Sequence, residues 1–442
     1  MRRFKCLLAL LLALATVLSF SACTEDGVSE SSSESAGESE SAGESAESES
    51  EKQNNEKGEK TGFVNGNELK DYKFVIGKEA DSSILYAASG VSRIAKEKWK
   101  SDGAVKTDDY AKAKDSPLEV LIGETNRPES QEYIASLKKG EGGYVVKGSK
   151  IVIAGYGKFE TISALSLFFN NIMMPLSSQR KNYIDSDRDT TEYLADYVSV
   201  MSFNVYVGIA KDSAKASNAL KIIKAYNPDI LGVQEASSDW QARLKSELKG
   251  EYEIYGENRG GAGGTEATKI YIRKDKFEVA SYGTKWLSST PDTASAVGGS
   301  QCYRIATYAT LGLPSGKVIN YVNTHLDHAS NEQVRVLQIG HLNTILEKNT
   351  ETDAPTVITG DFNMTTSEVG FKMMRDNGYK PSYELAKKNY SSGKSTFKSG
   401  GIIDYCFISK HDQLSTLMYK VCDDNIYGEN SDHYAVYTLI KY

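Results

Sequence analysis

The chain has 442 residues, 40% of them hydrophobic and 25% charged, a composition that excludes a wholly disordered protein. Its formal net charge of −7 comes mainly from an acidic stretch near the N-terminus, so the rest of the chain is close to neutral. A basic nucleic-acid scaffold is also excluded, because such binding depends on many Lys and Arg side chains that displace counterions. Any function on phosphates therefore has to rest on a local site.

A secretory signal is predicted over residues 1–22. Basic residues precede the apolar run Leu7–Phe20, which is shorter than the roughly 20 residues that a membrane-spanning helix needs. The sequence Phe20-Ser21-Ala22-Cys23 resembles a bacterial lipobox, which implies cleavage before Cys23 and attachment of lipid to its sulfur. We expect the protein on the extracellular face of a bacterial cell membrane, held there only by this anchor, with simple secretion as the alternative.

The anchor and a disordered tether are predicted over residues 23–62. Positions 24–60 are almost all Ser, Glu, Gly, Ala and Lys, and they contain too little apolar surface to fold. Like charges along this segment repel one another, so it should be extended and hold the folded part away from an anionic surface. A simple solubilising spacer would have the same properties.

A small α/β accessory domain is predicted over residues 63–195. Short apolar runs typical of strands, at 73–76, 118–122, 144–146 and 151–154, alternate with helical periodicity at 84–98 and 161–172. The segment Leu118–Pro128 resembles part of the accessory domains of bacterial surface and carbohydrate-active enzymes. The region has no His and no tight carboxylate cluster, which favours a scaffold, or a module that binds a glycan or a protein, over an active site.

The second region, 196–442, is dominated by strands. Apolar or alternating runs predict strands at 197–203, 230–233, 269–272, 303–311, 318–323, 356–359, 403–408 and 434–440. Apolar residues three and four positions apart predict helices at 213–226 and 333–346. This length of chain is sufficient for one large core built from two sheets.

Three cysteines lie in this region. Cys406 and Cys422 occur on apolar runs that are predicted to be neighbouring strands, so a disulfide between them is an alternative to buried free thiols, which we favour. Cys302 has no obvious partner. The spacing of Cys and His does not indicate a structural zinc site.

Polar residues recur at or just past the ends of the predicted strands. They are Asn204, Gln234-Glu235, Asn323-Thr324-His325, Asp361-Phe362-Asn363, Asp404 and Asp432-His433. One such residue is usually a turn former or a helix cap. A set that includes two of the five His residues of the chain indicates a shared site instead.

These residues fall within motifs that resemble, in the same order, those of the endonuclease/exonuclease/phosphatase superfamily. The motifs are SFNV, PDILGVQE, NTHLDH, GDFN, IIDY and SDH, and they span residues 197–442. The resemblance implies an α/β fold, a four-layer α/β/β/α sandwich, with the site where the strand ends of the two sheets meet. The superfamily includes deoxyribonuclease-I-like nucleases, neutral sphingomyelinases and inositol-polyphosphate phosphatases.

The resemblance also implies a divalent cation. Glu235 is expected as its main ligand, with Asn204 and Asp432 as supporting ligands or outer groups. Mg²⁺ takes one or two carboxylates and keeps several waters, so one strong ligand suffices. Mn²⁺ and Ca²⁺ are alternatives.

Catalytic roles follow from the same resemblance. Asp361 is expected to orient and deprotonate the attacking water, and Asn363 to hold a phosphoryl oxygen and the geometry of Asp361. His325 and His433 are expected to donate hydrogen bonds to the non-bridging oxygens in the transition state. Asp404 is expected to orient His433 and to favour its protonated form.

In addition to Asn363, two residues are candidates for contact with the substrate. Arg304, in the sequence YRIA, resembles a phosphate-contacting arginine of the superfamily, with a plain ion pair as the alternative. Asp327 lies two residues after His325 and would face the same side of a strand, whereas His328 would face away. The glycine-rich loop 259–265 is interpreted as a connector, with a substrate lid as the alternative.

The expected function is that of an extracellular, metal-dependent phosphodiesterase, and most specifically a nuclease that cleaves DNA or RNA. The near-neutral charge, and Thr268 where nuclease members often carry Tyr, leave two alternatives open. One is a phosphatase or a phospholipase of the sphingomyelinase type that acts on a sugar phosphate or a lipid headgroup. The other is an inactive surface binding protein. We expect a monomer.

Overall fold

Two mixed sheets packed face to face form the centre of the computed structural model, which describes residues 63–110, 118–174, 183–184, 188–248, 250–261, 266–423 and 427–442. The predicted signal over 1–22, the lipid anchor at Cys23 and the tether over 23–62 lie outside the described residues.

Both sandwich sheets combine parallel and antiparallel neighbours. In spatial order, the strands of the first sandwich sheet are Tyr252–Tyr255, Glu266–Arg273, Ile230–Ser237, Tyr197–Asn204, Val436–Lys441, Ser415–Val421 and Lys388–Asn389. Those of the second sandwich sheet are Glu278–Trp286, Ile305–Gly312, Val318–His325, Thr356–Asp361, Asp404–Ile408 and Lys380–Pro381.

The central strands are buried along their whole length. Every residue of Tyr197–Asn204 and of Thr356–Asp361 is buried, which is why these segments are near-continuous apolar runs. Between the sheets, side chains such as Val200, Ile230 and Val357 form one apolar core. The sheets are thereby fixed against each other, with their polar strand ends at one rim.

Helices cover the outer faces of both sheets. Ser213–Tyr226 and Ser238–Glu247 pack on the first sandwich sheet, and Gln333–Asn349 and Val369–Asp376 on the second. The first of these helices begins where Asp212 Oδ1 accepts hydrogen bonds from two backbone N–H groups at 3.0 Å. The four-layer α/β/β/α sandwich predicted from the sequence is therefore confirmed.

The shorter helices of this half are Val207–Ile209 and Ser382–Leu385. Among the helices that the structure describes, none has both the length and the apolar composition required to span a bilayer. Cys406 and Cys422 are buried thiols that are not joined in a disulfide, as predicted, and Cys302 is a partly exposed thiol.

The N-terminal half is built around a separate sheet. Its strands in spatial order are Val105–Thr107, Lys73–Ile76, Glu119–Ile122, Lys150–Gly155, Glu141–Lys147 and Glu192–Tyr193. Its helices are Leu69–Asp71, Ser82–Trp99, Pro128–Ser136, Lys158–Phe168 and Phe169–Met173, and a small sheet contains Asn67–Glu68, Phe63–Val64 and Tyr183–Ile184. The predicted alternation of strands and helices is present.

Polar residues of the segment 118–128 form a buried ion cluster. Arg127 donates to both carboxylate oxygens of Glu119, at 3.1 and 3.0 Å, and to the backbone oxygen of Asp108 at 3.0 Å. Lys150 Nζ lies 3.5 Å from Glu119. These contacts hold the strand Glu119–Ile122 to the helix Pro128–Ser136, so the segment 118–128 stabilises the fold. Binding of a glycan or a protein by residues 63–195 stays a prediction.

The N-terminal helices pack directly on the sandwich. Helix Ser82–Trp99 lies so close to helix Ser213–Tyr226 that a Cβ atom on Gly90 would be 2.2 Å from the backbone oxygen of Ala225. The rings of Phe169 and Tyr226 meet edge to face with centroids 5.9 Å apart. One continuous apolar core therefore includes side chains from both halves of the described chain.

Gly90 gives a test of this packing. Gly90→Val should lower the free energy of unfolding by about 1–3 kcal/mol, because the added methyl groups push the two helices apart. Ser89→Val, on the exposed side of the same helix, introduces the same side chain without that clash and is the control. Urea unfolding of both variants checks this; equal stability of the two would contradict the close packing.

Candidate active site

Glu235 reaches the rim through a break in its strand. The pairing of Ile230–Ser237 with Glu266–Arg273 shifts register between Val233 and Ala236, and Glu235 has a φ of 56°. This bulge extends the strand beyond the predicted end at Val233. A β-bulge redirects a side chain, and a positive φ in a residue with a Cβ is typical of functional positions.

Asn204 connects the two sheets. Its Nδ2 donates to Glu235 Oε1 at 2.9 Å, on its own sheet, and to Asp361 Oδ2 at 3.0 Å, on the opposite sheet. Its Oδ1 accepts from the backbone N–H of Tyr206 at 3.0 Å, which fixes the orientation of the amide. Asn204 therefore contacts both carboxylates through its amide nitrogen, and these hydrogen bonds position the carboxylates. Its role as a supporting ligand of a cation stays a prediction.

Asp361 ends its strand and is 2% exposed. Its Oδ1 accepts from the backbone N–H of Asn363 at 2.9 Å, which leaves Oδ2 directed at the site. Asn363 has a φ of 48°, and its Nδ2 donates to the backbone oxygen of Leu326 at 3.0 Å. The predicted pair from the GDFN motif thus lies at the end of the strand Thr356–Asp361, and Asn363 ties it to the end of the neighbouring strand Val318–His325.

His433 is oriented by a buried carboxylate. Its Nδ1 lies 2.9 Å from Asp404 Oδ2, and its Nε2 lies 3.7 Å from Asp361 Oδ2. Ser431 accepts from the backbone N–H of His433 and donates to the backbone oxygen of Asn204 at 2.6 Å. The SDH motif is thereby connected to the strand that carries Asn204.

His325 approaches the same point from the neighbouring strand. Its Nε2 lies 3.4 Å from Asp361 Oδ2 and 3.1 Å from Asn363 Nδ2. Burial and the nearby charges of Arg304 and Arg259 hold the pKa of His325 well below its usual value. At neutral pH this ring is neutral, so it can donate only one hydrogen bond.

The two histidines therefore differ in charge. Burial lowers the pKa of His433, but the attraction and hydrogen bond of Asp404, together with Asp361 and Asp432, outweigh that effect and raise the pKa to about 10. The predicted influence of Asp404 on His433 agrees with this direction. A charged and a neutral imidazole thus flank Asp361.

Asp361 itself carries an unfavourable charge. Burial and the neighbouring Asp404 raise its pKa to about 7, although His433 and two hydrogen bonds act in the opposite direction. Burial also raises the pKa of Asp432, which is the most exposed of these carboxyl groups. A buried cluster of carboxyl groups whose negative charge is only partly compensated favours a positive ligand.

A divalent cation fits the donor set. One ligand atom each from Glu235, His325 and Asp361 lies within 4.8 Å of the other two, and a second group of this kind contains Asp361, Asp404 and His433. Carboxylate oxygens are the ligands that Mg²⁺ and Ca²⁺ prefer. Because His433 is charged and bonded to Asp404, the first group suits a cation better.

Arg304 lies next to this group but immediately before its strand. It is 3% exposed, its Nη2 lies 3.0 Å from His328 Nδ1, and its Nε lies 3.8 Å from Asp327 Oδ2. His328 is exposed, as predicted. Arg304 lines a narrow cleft together with Glu235, Glu266 and His325. Its contact with Asp327 matches the alternative of an ion pair, and contact of Arg304 with a phosphate stays a prediction.

Asp327 has a different position from the one expected for a substrate contact. It is fully buried, and its carboxylate accepts from the backbone N–H groups of Gln301, Cys302 and Ala329 at 3.1, 3.3 and 2.9 Å. These bonds hold the loop before Arg304. Direct contact of Asp327 with a substrate stays a prediction without a supporting contact in the structure.

Several residues of the site escaped sequence analysis. Arg259 lines the cleft beside Arg304, and Thr396 Oγ1 accepts from the backbone N–H groups of Ile403 and Asp404, each at 3.0 Å. Val207 donates its N–H to Glu235 Oε2 at 2.8 Å. Thr396 and Val207 lie in a loop and in a short helix with no motif around them. Arg259 begins the glycine-rich loop 259–265, which was interpreted as a connector and not as part of the site.

Comparisons with known proteins agree with this arrangement. Residues 201–418 match the model of the Endonuclease/Exonuclease/phosphatase family, which confirms the superfamily predicted from the motifs. A search of curated proteins found no match.

Solved structures resemble the same half of the chain. The mannosyl-6-phosphatase Bt3783 of Bacteroides thetaiotaomicron is 23% identical, with a TM-score of 0.50, 55% of this chain covered and 100% of that chain. A family member from Bacteroides vulgatus is 26% identical, with a TM-score of 0.48 and coverages of 55% and 98%. The human Nocturnin catalytic domain is 18% identical, with a TM-score of 0.46 and coverages of 56% and 94%. The likeness to the mannosyl-6-phosphatase shows similarity of fold alone.

The charge on His433 can be tested through Asp404. Asp404→Asn should lower the pKa of His433 clearly below its value of about 10, because the lowering effect of burial is then opposed only by Asp361 and Asp432. In the metal-free wild type, the charged ring stabilises the fold fully below pH about 6.5, and this contribution is lost as the pH rises through about 10.

NMR titration of the imidazole signals measures the pKa of His433 in wild type and in Asp404→Asn. Asp432→Asn is the control, since that carboxylate is 38% exposed and lies 4.0 Å from the ring, and it should shift the pKa of His433 much less. An unchanged titration in Asp404→Asn would contradict the assigned pairing.

Proposed function

Because residues 201–418 belong to the endonuclease/exonuclease/phosphatase family, we propose that the protein hydrolyses phosphoesters with a bound divalent cation, by attack of water in line with the leaving group. One observation carries this proposal. Glu235 from the first sandwich sheet and His325 and Asp361 from the second bring their donor atoms to within 4.8 Å of one another. Residues from both sheets therefore converge on a point the size of a phosphoryl group.

Glu235 would hold the cation at the point where Asp361 and His325 approach it, and the cation supplies charge stabilisation for the phosphoryl oxygens when bound. Mg²⁺ is the favoured ion, and Mn²⁺ and Ca²⁺ are alternatives. Val207 N–H and Asn204 Nδ2 each donate to one oxygen of Glu235, so the carboxylate has a fixed orientation before any ligand binds. A fixed orientation reduces the reorganisation needed during reaction.

Asp361 is the group that accepts the proton of the attacking water. Its Oδ1 is held by Asn363, and its Oδ2 faces His325, His433 and Asn204, so the accepting oxygen is directed at the reacting point. A pKa near neutral in the cation-free site suits a general base, and a bound cation lowers that pKa.

His433 stabilises the charge that develops on the phosphoryl oxygens. Its charged ring donates from Nε2, while Nδ1 is bound to Asp404. His325 and Asn363 are placed to contact another oxygen from the opposite side of Asp361. Loss of one donor of this kind commonly costs about 10²- to 10³-fold in rate.

Within this class we propose a nuclease as the first candidate, with phosphatase or phospholipase-type activity as the second. A specific observation supports the second candidate. Outside its acidic N-terminal stretch the chain is close to neutral, whereas affinity for a nucleic-acid backbone comes largely from many Lys and Arg side chains. The family contains all these activities, so substrate chemistry has to be measured.

The catalytic proposal is tested with Asp361→Asn. This isosteric change removes the proton acceptor, and hydrolysis should fall by about 10²- to 10⁴-fold. The measurement is cleavage of DNA, RNA, sphingomyelin and small phosphate esters with Mg²⁺, with and without EDTA, for wild type and variant.

Asp412→Ala is the matched control, since it removes an exposed carboxylate beyond the far end of the strand Asp404–Ile408. It should retain full activity. Equal activity of Asp361→Asn and wild type, or activity that EDTA does not affect, would refute the proposal.

We also propose export and anchoring through lipid on Cys23, on the support of the sequence over residues 1–23. Cys23→Ser should move the protein from the membrane fraction of expressing bacteria to the soluble fraction, because the only proposed attachment is then lost. Fractionation followed by immunoblotting measures this. Membrane association that is unchanged in Cys23→Ser would refute the anchor.

A further inference from the structure

A layer of buried polar side chains lies between the two sandwich sheets, directly below the site. Three of its members each precede a residue of the site by two positions on the same strand, so they face the same side of the sheet. The fourth adjoins Glu235. The members of this polar layer, each at most 1% exposed, are Ser202, Gln234, Asn323 and Thr359. Apolar side chains of the same shape would be as stable here, so stability alone does not explain the polar layer.

Asn323 is the centre of the polar layer. Its Nδ2 donates to the backbone oxygens of Val233 at 3.0 Å and of Lys269 at 2.9 Å. Its Oδ1 accepts from Gln234 Nε2 at 2.6 Å and from Thr359 Oγ1 at 3.2 Å. Because carbonyl oxygens only accept, the orientation of this amide is fixed by its partners. All four hydrogen-bonding positions of the side chain are therefore used.

The two carbonyls that Asn323 binds belong to the bulge at Glu235. Val233 and Lys269 are the last register pair before the pairing of their strands shifts. Carbonyls within a sheet usually accept from a neighbouring strand of that sheet, and a bulge interrupts this ladder. Here both carbonyls accept from a side chain of the opposite sheet. Asn323 thus ties the bulge of the first sandwich sheet to the strand Val318–His325 of the second.

The backbone at Glu235 needs such support. Its φ of 56° is unfavourable for a residue with a Cβ atom, and this conformation persists only where the surrounding structure holds it. The two sheets also come unusually close at this place. A Cβ atom on Gly232 would lie 2.6 Å from Asn323 Oδ1, so the amide reaches the bulge only because residue 232 is glycine.

We propose that Asn323 is a positioning residue of the site. It holds the bulge against the second sandwich sheet and so sets the place of Glu235 opposite Asp361 and His325 before a cation binds. This inference rests on the proposed cation-dependent hydrolysis. Asn323 is fully buried and acts only through Glu235. Loss of a residue that orients a ligand typically lowers metal affinity or activity by about 10- to 100-fold.

The test is the binding of Mn²⁺ to the metal-free protein, measured by titration calorimetry. In Asn323→Ala the affinity should fall by about 10- to 100-fold, because the backbone that carries Glu235 is no longer held. The Mn²⁺ concentration required for half-maximal hydrolysis should rise by a similar factor. Saturating Mn²⁺ should restore part of the activity, since Asp361 and His433 keep their own contacts.

Asn320→Ala is the matched control. Asn320 lies on the same strand, is also fully buried and also makes four side-chain hydrogen bonds, with Thr310, Glu351 and Thr356. It is paired with the first residue of the strand Thr356–Asp361, whereas Asp361 is the last. Both variants should therefore lose stability, but Asn320→Ala should bind Mn²⁺ as tightly as wild type does.

Gln234→Met replaces Asn323→Ala if the latter does not fold. Methionine is close to glutamine in size, and the change removes the Nε2 group that donates to Asn323 Oδ1. The amide of Asn323 is then held less firmly, so Mn²⁺ should bind more weakly than to wild type. Unchanged binding of Mn²⁺ would overturn the inference.

Unchanged Mn²⁺ affinity in Asn323→Ala, or an equal loss in Asn320→Ala, would also overturn it while leaving phosphoester hydrolysis in place. A wild type that does not bind Mn²⁺ would refute the proposed cation-dependent function instead. Hydrogen exchange of the segment 234–237, measured by mass spectrometry, then decides about Asn323. Faster exchange of this segment in Asn323→Ala than in Asn320→Ala supports the positioning role, and equal exchange in the two variants overturns it.

Discussion

The site depends on one amide nitrogen that is shared between two sheets. Asn204 Nδ2 donates to Glu235 and to Asp361, so the separation of the sheets at their rim is set by two hydrogen bonds of 2.9 and 3.0 Å. The layer below makes such an approach possible. A Cβ atom on Gly232 would lie 2.5 Å from both Thr359 Oγ1 and Tyr321 OH, so only glycine allows the strands to come this close.

The energetic problem of the site is its concentration of acidic groups. Burial raises the pKa of Asp361 to about 7, and the fold offsets this only in part through His433 and Asn204. Glu235, Asn363 and Tyr206 add backbone strain, since each has a positive φ of 48° to 58° that costs on the order of 1–3 kcal/mol. Unfavourable charge and strain at one place are the expected signature of a site organised for a ligand rather than for stability.

The sequence was informative wherever burial was complete. The helix Ser213–Tyr226 has the predicted bounds, and the buried strands lie where apolar runs placed them. The strand Glu278–Trp286 was missed, because it is a half-exposed edge strand without a regular apolar pattern. The polar strand ends predicted a site, but not its geometry: the bulge at Glu235, the amide orientation of Asn204 and the place of Arg259 all depend on contacts between residues distant in sequence.

The N-terminal half packs against the strand that carries Asn204. None of the residues that form the described site lies between 63 and 195, yet Leu165 and Phe168 belong to the same apolar core as Met201 and Phe203. Asn227, which ends helix Ser213–Tyr226, also donates to the backbone oxygen of Ser83 at 3.2 Å. The strand is therefore buried on both faces, and the amide at its end is held by packing from the whole described fold. A region that contributes no polar group to the rim thus still packs against the strand that carries Asn204.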